Sequence, residues 1–298
     1  MKVLLTGADG QLAFALHERL RAQHEVVARS RPDLDVTSET AVQDAVRAVR
    51  PQVIINGAAY NNVDAAEDDP LEALAVNGFA VRSLAEAAEE VDAILVHYST
   101  DFVFDGTARA PYPETATPNP QSAYATSKLL GEWFAARCAK HYVLRVESLF
   151  GGGVQTRPDG RTPGSSLDRI ADALLEGREV RAFHDRVVSP SFVPDVADVT
   201  TRLLEHAAPF GLYHCVGEGY ATWVDVAKEL AAQLRTEARI VPVSMTAMEL
   251  KAERPSFCAL SNTRLRSMGI VPPRWQNAVA RFATARREIP QVQIAGGG

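Results

Sequence analysis

Lys2-Val-Leu-Leu-Thr6 runs directly into Gly7-Ala-Asp-Gly10-Gln-Leu-Ala13, and this junction decides the fold. The first five residues read as a short buried strand. Leu12, Leu16 and Leu20 then recur at helical spacing. A strand, a glycine turn and a helix start make a phosphate-binding site. Glycine lets backbone N–H groups approach an anion, and the helix N-terminus adds partial positive charge. Gly7 and Gly10 are therefore candidate cofactor residues. Their spacing is GxxGxxA, not the GxGxxG of the general dinucleotide fingerprint, so the position right after a strand carries the reading.

Outward from this turn, Glu25-Val-Val-Ala28 reads as a second strand. It ends in Arg29-Ser30-Arg31, where NAD-binding chains usually place an acid for the ribose 2′-hydroxyl. Two guanidiniums suit a 2′-phosphate, which favours NADPH while leaving NADH possible. Asp35-Val36 follows and can border an adenine. A helix over 38–49, a strand at Val53-Ile-Ile55 and the small residues Asn56-Gly-Ala58-Ala59 come next, the last allowing close backbone approach to a cofactor. Asp69-Pro70 predicts one long helix to about Glu90, and Ala93–Tyr98 a fourth strand. This alternation predicts an α/β fold with a doubly wound parallel sheet.

The fourth strand leads into Ser99-Thr100-Asp101, and ligands bind at the carboxyl ends of such strands. The Thr100 hydroxyl can donate to a substrate carbonyl or cap the following turn. A helix over 122–138 then carries Tyr124 and Lys128, which share one face. An ammonium near a phenol stabilises the phenolate and lowers a pKa that is ordinarily about 10, suiting the pair to pass a proton to a carbonyl oxygen. Glu132, one turn further on, reads as a helix ion pair.

Beyond residue 150 the elements become shorter and more mixed, with a loop over Thr156–Gly164 expected to cover the substrate. This divides the chain into a dinucleotide-binding domain over 1–150, with a returning segment near 187–210, and a smaller substrate lobe over 151–298. The net charge of −6 argues against nucleic-acid polymers as partners. Residues 235–287 nevertheless hold ten Lys/Arg against three acids, leaving −13 to the rest. Some of these arginines can meet an anionic small molecule. The first apolar run is too short for a signal peptide or a membrane span, and no later one suffices. Cys138, Cys215 and Cys258 lie far apart, so neither a disulfide framework nor a zinc site is expected, in keeping with the cytoplasm.

The chain resembles the extended short-chain dehydrogenase/reductases, and within them the dTDP-4-dehydrorhamnose reductase family. The resemblance rests on Gly7-Ala-Asp-Gly10-Gln-Leu12, Asn56-Gly-Ala-Ala-Tyr60, Val63-Asp64 with Glu67, and Tyr98-Ser-Thr-Asp-Phe-Val-Phe-Asp-Gly106. It continues through Tyr124-Ala-Thr-Ser-Lys-Leu-Leu-Gly-Glu132, Gly211-Leu-Tyr-His214 with Thr222-Trp223, and Arg254-Pro255 followed by Ser261-Asn-Thr263. It implies a Rossmann domain with a smaller C-terminal lobe, and NAD(P)H-dependent reduction of the C4 ketone of a dTDP-linked deoxyhexose. By matching position, Thr100 would hydrogen-bond the ketone and Tyr124 would donate the proton. Lys128 would lower the tyrosine's pKa and hold the nicotinamide ribose. Gly10, Gln11, Leu12, Asp35, Val36, Ala59, Tyr60, Asn61 and Tyr98 would line the cofactor, while Asp101, Ser148 and Arg254 would meet the substrate.

Three positions depart from the family pattern. Ala13 replaces a glycine, Phe102 a tyrosine, and Glu147-Ser148-Leu149 stands where a tryptophan is common. Some family members form magnesium-dependent dimers through C-terminal glutamates that have no counterpart here. The expectation is therefore no metal, with a homodimer possible. Two other readings stay open: a nucleotide-sugar epimerase, and a non-catalytic NADP-binding regulatory subunit of the methionine adenosyltransferase type.

Overall fold

The computed structural model describes residues 1–152, 164–237 and 239–288. Strands β1 (Lys2–Thr6), β2 (Glu25–Arg29), β3 (Val53–Asn56), β4 (Ile94–Thr100) and β5 (His141–Val146) join the strand Gly211–His214 in one six-stranded sheet. The spatial order is Gly211–His214, β5, β4, β3, β1, β2, and every neighbouring pair is parallel. The chain leaves β1 towards β2 and then crosses back to β3 on the other side. That reversal opens a crevice at the carboxyl ends of β1, β3 and β4.

Alternation along β1 explains the layers. Val3 and Leu5 face α1 (Gln11–Leu20) and the helix Val193–Glu205, while Leu4 faces α2 (Glu39–Val49) and the helix Ala80–Glu90. With both faces covered, all four residues of β3 are buried, which is why parallel strands read as continuous apolar runs. Residues 193–214 return to this unit, laying a helix on α1 and a strand beside β5. A second core gathers the helices Ser166–Leu175, Trp223–Leu234 and Trp275–Glu288 with the paired strands Val180–Phe183 and Ile240–Val243. The last helix buries Trp275, Ala278, Val279 and Phe282, a helical spacing that was readable in the sequence.

The stretch from Pro70 to Glu90 is not one regular helix. It runs as Pro70–Leu74, a π turn over Ala75–Phe79, and Ala80–Glu90. The loop expected over Thr156–Gly164 falls, up to residue 163, outside the described residues. Among the described residues no helix is long and apolar enough to cross a membrane. Cys138, Cys215 and Cys258 are free and buried.

Glu132 is the anchor between the helix Ala123–Ala135 and the sheet. Its carboxylate accepts from Arg145 on β5 at 2.8 and 2.7 Å and from Ser99 on β4 at 2.5 Å. Arg145 also donates towards His214 Nε2 at 3.4 Å, and His214 Nδ1 lies 3.2 Å from the Ser261 carbonyl. That arrangement requires a neutral imidazole. Burial, reinforced by the Arg145 charge, lowers the His214 pKa to about 3. Burial, with Lys128 adding to it, likewise holds His97 well below its ordinary value.

Both depressed values favour the folded state at neutral pH. Stability is complete above about pH 6.5, where unfolded histidine is neutral, and is lost as pH falls towards the folded values. Urea unfolding midpoints are expected to fall progressively below about pH 6.5. His214→Gln should flatten part of that slope.

Candidate active site

β4 ends at Thr100, whose Oγ1 accepts from the Phe102 N–H at 3.3 Å and is hydrogen-bonded with Asp101 Oδ1 at 2.9 Å. The hydroxyl thus caps the turn Asp101–Val103 while standing at the mouth of the crevice. Opposite it, Ser122 caps the helix Ala123–Ala135 by accepting from the Ala125 N–H at 3.2 Å. Tyr124 lies in the first turn of this helix and Lys128 one turn on, both buried. The Tyr124 ring meets Phe102 edge-to-face at 5.7 Å. Lys128 Nζ donates to the Tyr98 carbonyl at 2.5 Å.

Electrostatics at these groups is dominated by burial. It pushes the Tyr124 phenol above its ordinary value, Asp101 adds to the rise, and a hydrogen bond with Thr100 opposes it. Burial lowers Lys128 to about 8, against the pull of Glu132. Spacing alone placed the ammonium's effect on the phenol. In the structure the immediate partner of the ammonium is a backbone carbonyl, and the groups acting on the phenol are Asp101 and Thr100. Tyr98 contributes that carbonyl and not its ring: its hydroxyl pairs with Thr200 Oγ1 at 2.8 Å inside the core.

The glycine turn fits a diphosphate by leaving no room for side chains. Gly7 has φ +65°, and a Cβ there would stand 2.5 Å from the Ala58 nitrogen. A Cβ on Gly57 would reach the Thr6 carbonyl at 2.8 Å. Gly10 starts α1 with no side-chain cap, which leaves the first N–H groups of this ten-residue helix for an anion. Underneath, Thr6 Oγ1 donates to Asn56 Oδ1 at 2.8 Å, and Asn56 Nδ2 donates to His97 Nδ1 at 3.2 Å. These bonds tie the carboxyl ends of β1 and β3 to the middle of β4. Gln11 reaches the Leu149 carbonyl at 3.5 Å, and Leu12 is buried beneath the turn. At the far end, Arg29 accepts from the Ala8 N–H through its carbonyl at 3.0 Å. Asp35 is closed into a turn by the Thr37 N–H and hydroxyl, which lower its pKa, and Val36 is buried next to it. Ala58, Ala59, Tyr60 and Asn61 line the loop after β3.

Asn77 holds that loop to the helix Ala123–Ala135. From the π turn, its Oδ1 accepts from the Tyr60 N–H at 2.9 Å, and its amide donates to the Tyr60 carbonyl and to Ser127 Oγ, each at 3.0 Å. Ser127 Oγ in turn donates to the Tyr124 carbonyl at 2.7 Å. Sequence reading missed Asn77. The available signal was Asn77-Gly78, a turn-forming pair inside a helical stretch.

Most arginines of the basic segment, Arg254 among them, already have partners within the protein. Arg254 is committed to Asp64 by two bonds at 2.9 and 2.7 Å, and this pairing lowers Asp64 to about 2. Arg266 pairs with Glu218, Arg281 with Asp195 and Arg286 with Asp172, while Arg264 donates to the Leu212 and Phe210 carbonyls. The basic segment is therefore largely neutralised from within. A cavity of about 300 Å³ in the smaller lobe is lined instead by Arg169, Arg181, Arg186 and Trp223. Arg186 also lies over the Phe102 ring at 5.1 Å, which links this cavity to Tyr124. Ser148 adopts φ +45°, and the residue before it, Glu147, is buried close to Asp101.

A family profile described as "RmlD substrate binding domain" matches residues 1–287. The chain is 35% identical to a dTDP-4-dehydrorhamnose reductase of Burkholderia thailandensis, over 94% of this chain and 97% of that one. It is also 35% identical to a probable dTDP-4,6-dihydroxy-2-methyloxan-3-one 4-ketoreductase of Streptomyces antibioticus, covering 94% and 93%. Among solved structures, it is similar to the dTDP-4-dehydrorhamnose reductase of Bacillus anthracis in complex with NADP. That match has a TM-score of 0.88 at 30% identity and covers 95% of this chain and 99% of the other.

Asn77→Ala leaves the Tyr60 N–H and carbonyl unpartnered, for an expected loss of about 1–3 kcal/mol in unfolding free energy. Asn77→Asp sets an acceptor-only carboxylate against the Tyr60 carbonyl in a buried position and should lose at least as much. Urea denaturation of both variants checks the order.

Proposed function

The chain belongs to the RmlD substrate binding domain family matched across residues 1–287, and on that premise we propose that it is an NADPH-dependent 4-ketoreductase of a dTDP-linked 4-keto-6-deoxyhexose. The observation that carries this is the burial of Thr100, Tyr124 and Lys128 together at the carboxyl end of β4, beside a glycine turn with no room for a side chain. The NADP in the B. anthracis relative and the guanidiniums of Arg29 and Arg31 support the cofactor. A cytoplasmic setting belongs to the same reading, supported by three free cysteines.

The cofactor supplies a hydride when bound. The turn Gly7–Gly10 and the start of α1 hold its diphosphate. Thr100 Oγ1 hydrogen-bonds the substrate ketone, and Tyr124 gives its phenolic proton to the oxygen that becomes the product alcohol. Lys128, fixed on the Tyr98 carbonyl, supplies positive charge one helical turn from the phenolate that remains. The guanidiniums of Arg169 and Arg181 hold the diphosphate of the sugar nucleotide, for which planar donors are well shaped, and Trp223 offers a stacking face. Asp101 belongs to the substrate site through Thr100. Arg254, bound to Asp64, shapes the wall of the crevice.

The test is oxidation of NADPH by purified protein given dTDP-4-keto-L-rhamnose. Tyr124→Phe should lower kcat by roughly a hundredfold or more. Arg181→Ala should raise KM by roughly tenfold with kcat little changed, because the diphosphate is bound equally before and during reaction. An equal fall in kcat for Arg181→Ala would place that arginine at the reacting end instead.

A further inference from the structure

Behind Thr100 lies a buried cluster to which the reaction above assigns no proton. Oxygens of Asp101 and Glu147 and the sulfur of Cys258 all lie within 4.8 Å of one another, and all three residues are buried. One Asp101 oxygen is hydrogen-bonded with Thr100 Oγ1, and one Glu147 oxygen accepts from the Ser189 N–H at 2.7 Å. The other oxygen of each, Asp101 Oδ2 and Glu147 Oε1, is buried without a partner. The counter-charge facing both is the half-buried guanidinium of Arg186, which also approaches Cys258 Sγ at 3.9 Å and leaves its Nε unpartnered. The groups facing the pair are thus Thr100 and Tyr124 on one side and Arg186, Ser189 and Cys258 on the other.

Charge counting in this cluster is decisive. Two carboxylates against one guanidinium leave a net negative charge in a dry interior, which costs several kcal/mol. One retained proton makes the cluster neutral. The position of that proton governs Thr100. A hydroxyl has one hydrogen to give, and an ionised Asp101, being acceptor-only, takes it. Thr100 would then have no hydrogen for a substrate ketone. A protonated Asp101 donates to Thr100 Oγ1 and releases the Thr100 hydrogen towards the crevice. It also removes a negative charge next to the phenol that must become a phenolate.

We propose that Asp101 and Glu147 share one proton beside Arg186, and that Asp101 presents it to Thr100 Oγ1 so that the Thr100 hydrogen points at the substrate carbonyl. Asp101 and Glu147 are positioning residues in this arrangement. Burial raises both carboxyls, Glu147 well above its ordinary value with Asp101 adding to the rise, which agrees with the geometry. The inference rests on the ketoreductase reading for its kinetic consequences, while the shared proton itself can be observed without turnover.

Infrared difference spectra of the purified protein, taken from about pH 5 to about pH 9, test the proton directly. The carbonyl stretch of a protonated carboxylic acid should persist at neutral pH in the wild type and disappear there in both Asp101→Asn and Glu147→Gln, each of which leaves a single carboxylate to pair with Arg186. A band lost in Glu147→Gln but unchanged in Asp101→Asn, or no such band at all, would overturn the proposal whether or not the enzyme turns over. In the NADPH assay, Asp101→Asn keeps a neutral donor for Thr100 and should lose less than about tenfold, in kcat and not KM, whereas Thr100→Val should lose roughly a hundredfold. Glu147→Gln lets Asp101 ionise against Arg186, so its kcat should fall at neutral pH and recover on acidification. Adding Asp101→Asn to it should abolish that pH dependence. A folded Asp101→Asn as inactive as Thr100→Val would sink the positioning role. Absence of wild-type turnover on any keto sugar, with the infrared band intact, would instead count against the ketoreductase reading.

Discussion

The ion pair between Glu132 and Arg145 is the constraint around which the site is built. Both side chains are buried, and together with Ser99 and His214 they connect the helix Ala123–Ala135 to β4, β5 and the last strand of the sheet. A buried pair of this kind adds little net stability over well-packed apolar residues. Losing one member, however, costs about 3–5 kcal/mol because the other charge is stranded. Its value here is registry. Glu132 can satisfy Arg145 and Ser99 together only at one rotation of the helix, and that rotation turns Tyr124 and Lys128 towards the carboxyl end of β4.

A second constraint acts from the opposite side. The loop after β3 has to lie close to the glycine turn, and Gly7, Gly57 and Ala58 meet there with no space for a larger atom. Close approach of this kind exposes backbone groups that need partners. Asn77 supplies them for Tyr60, and a regular α-helix would not have presented it: the π turn offsets the helix by a residue and aims the amide at both the loop and Ser127. The cofactor side and the proton-donor side of the crevice are thus joined through one amide.

The order of strands and helices was legible because its determinants are local. Apolar period, a glycine turn after β1, Ser38 and Ser122 at helix starts, and Pro70 at a first turn each act within a few residues. Thr100, Tyr124 and Lys128 were legible for the same reason, since strand end and helix spacing place them. The internal pairing of the basic segment was not. A count of arginines over 235–287 cannot reveal that Asp64, Asp195, Asp172 and Glu218, distant in sequence, already neutralise four of them. Glu147 and Arg186 escaped notice likewise, because each is an ordinary charged residue until folding brings it to Asp101.

The phenol, the two carboxyls and the ammonium around Thr100 are all moved towards their neutral forms. Burial raises Tyr124, Asp101 and Glu147 and lowers Lys128 to about 8. A pocket that disfavours charge on all four also disfavours the alkoxide that hydride addition to a ketone would create, so under the proposed reaction the proton must arrive together with the hydride. The charge left behind is then a phenolate on Tyr124. Lys128 can answer it because its ammonium rests on a carbonyl dipole and not on a carboxylate. Glu132, its neighbour one turn along the same helix, would otherwise have fixed that ammonium in a permanent pair. Arg145 holds the carboxylate instead, so the interaction that orients the helix also keeps the lysine's charge available to the site.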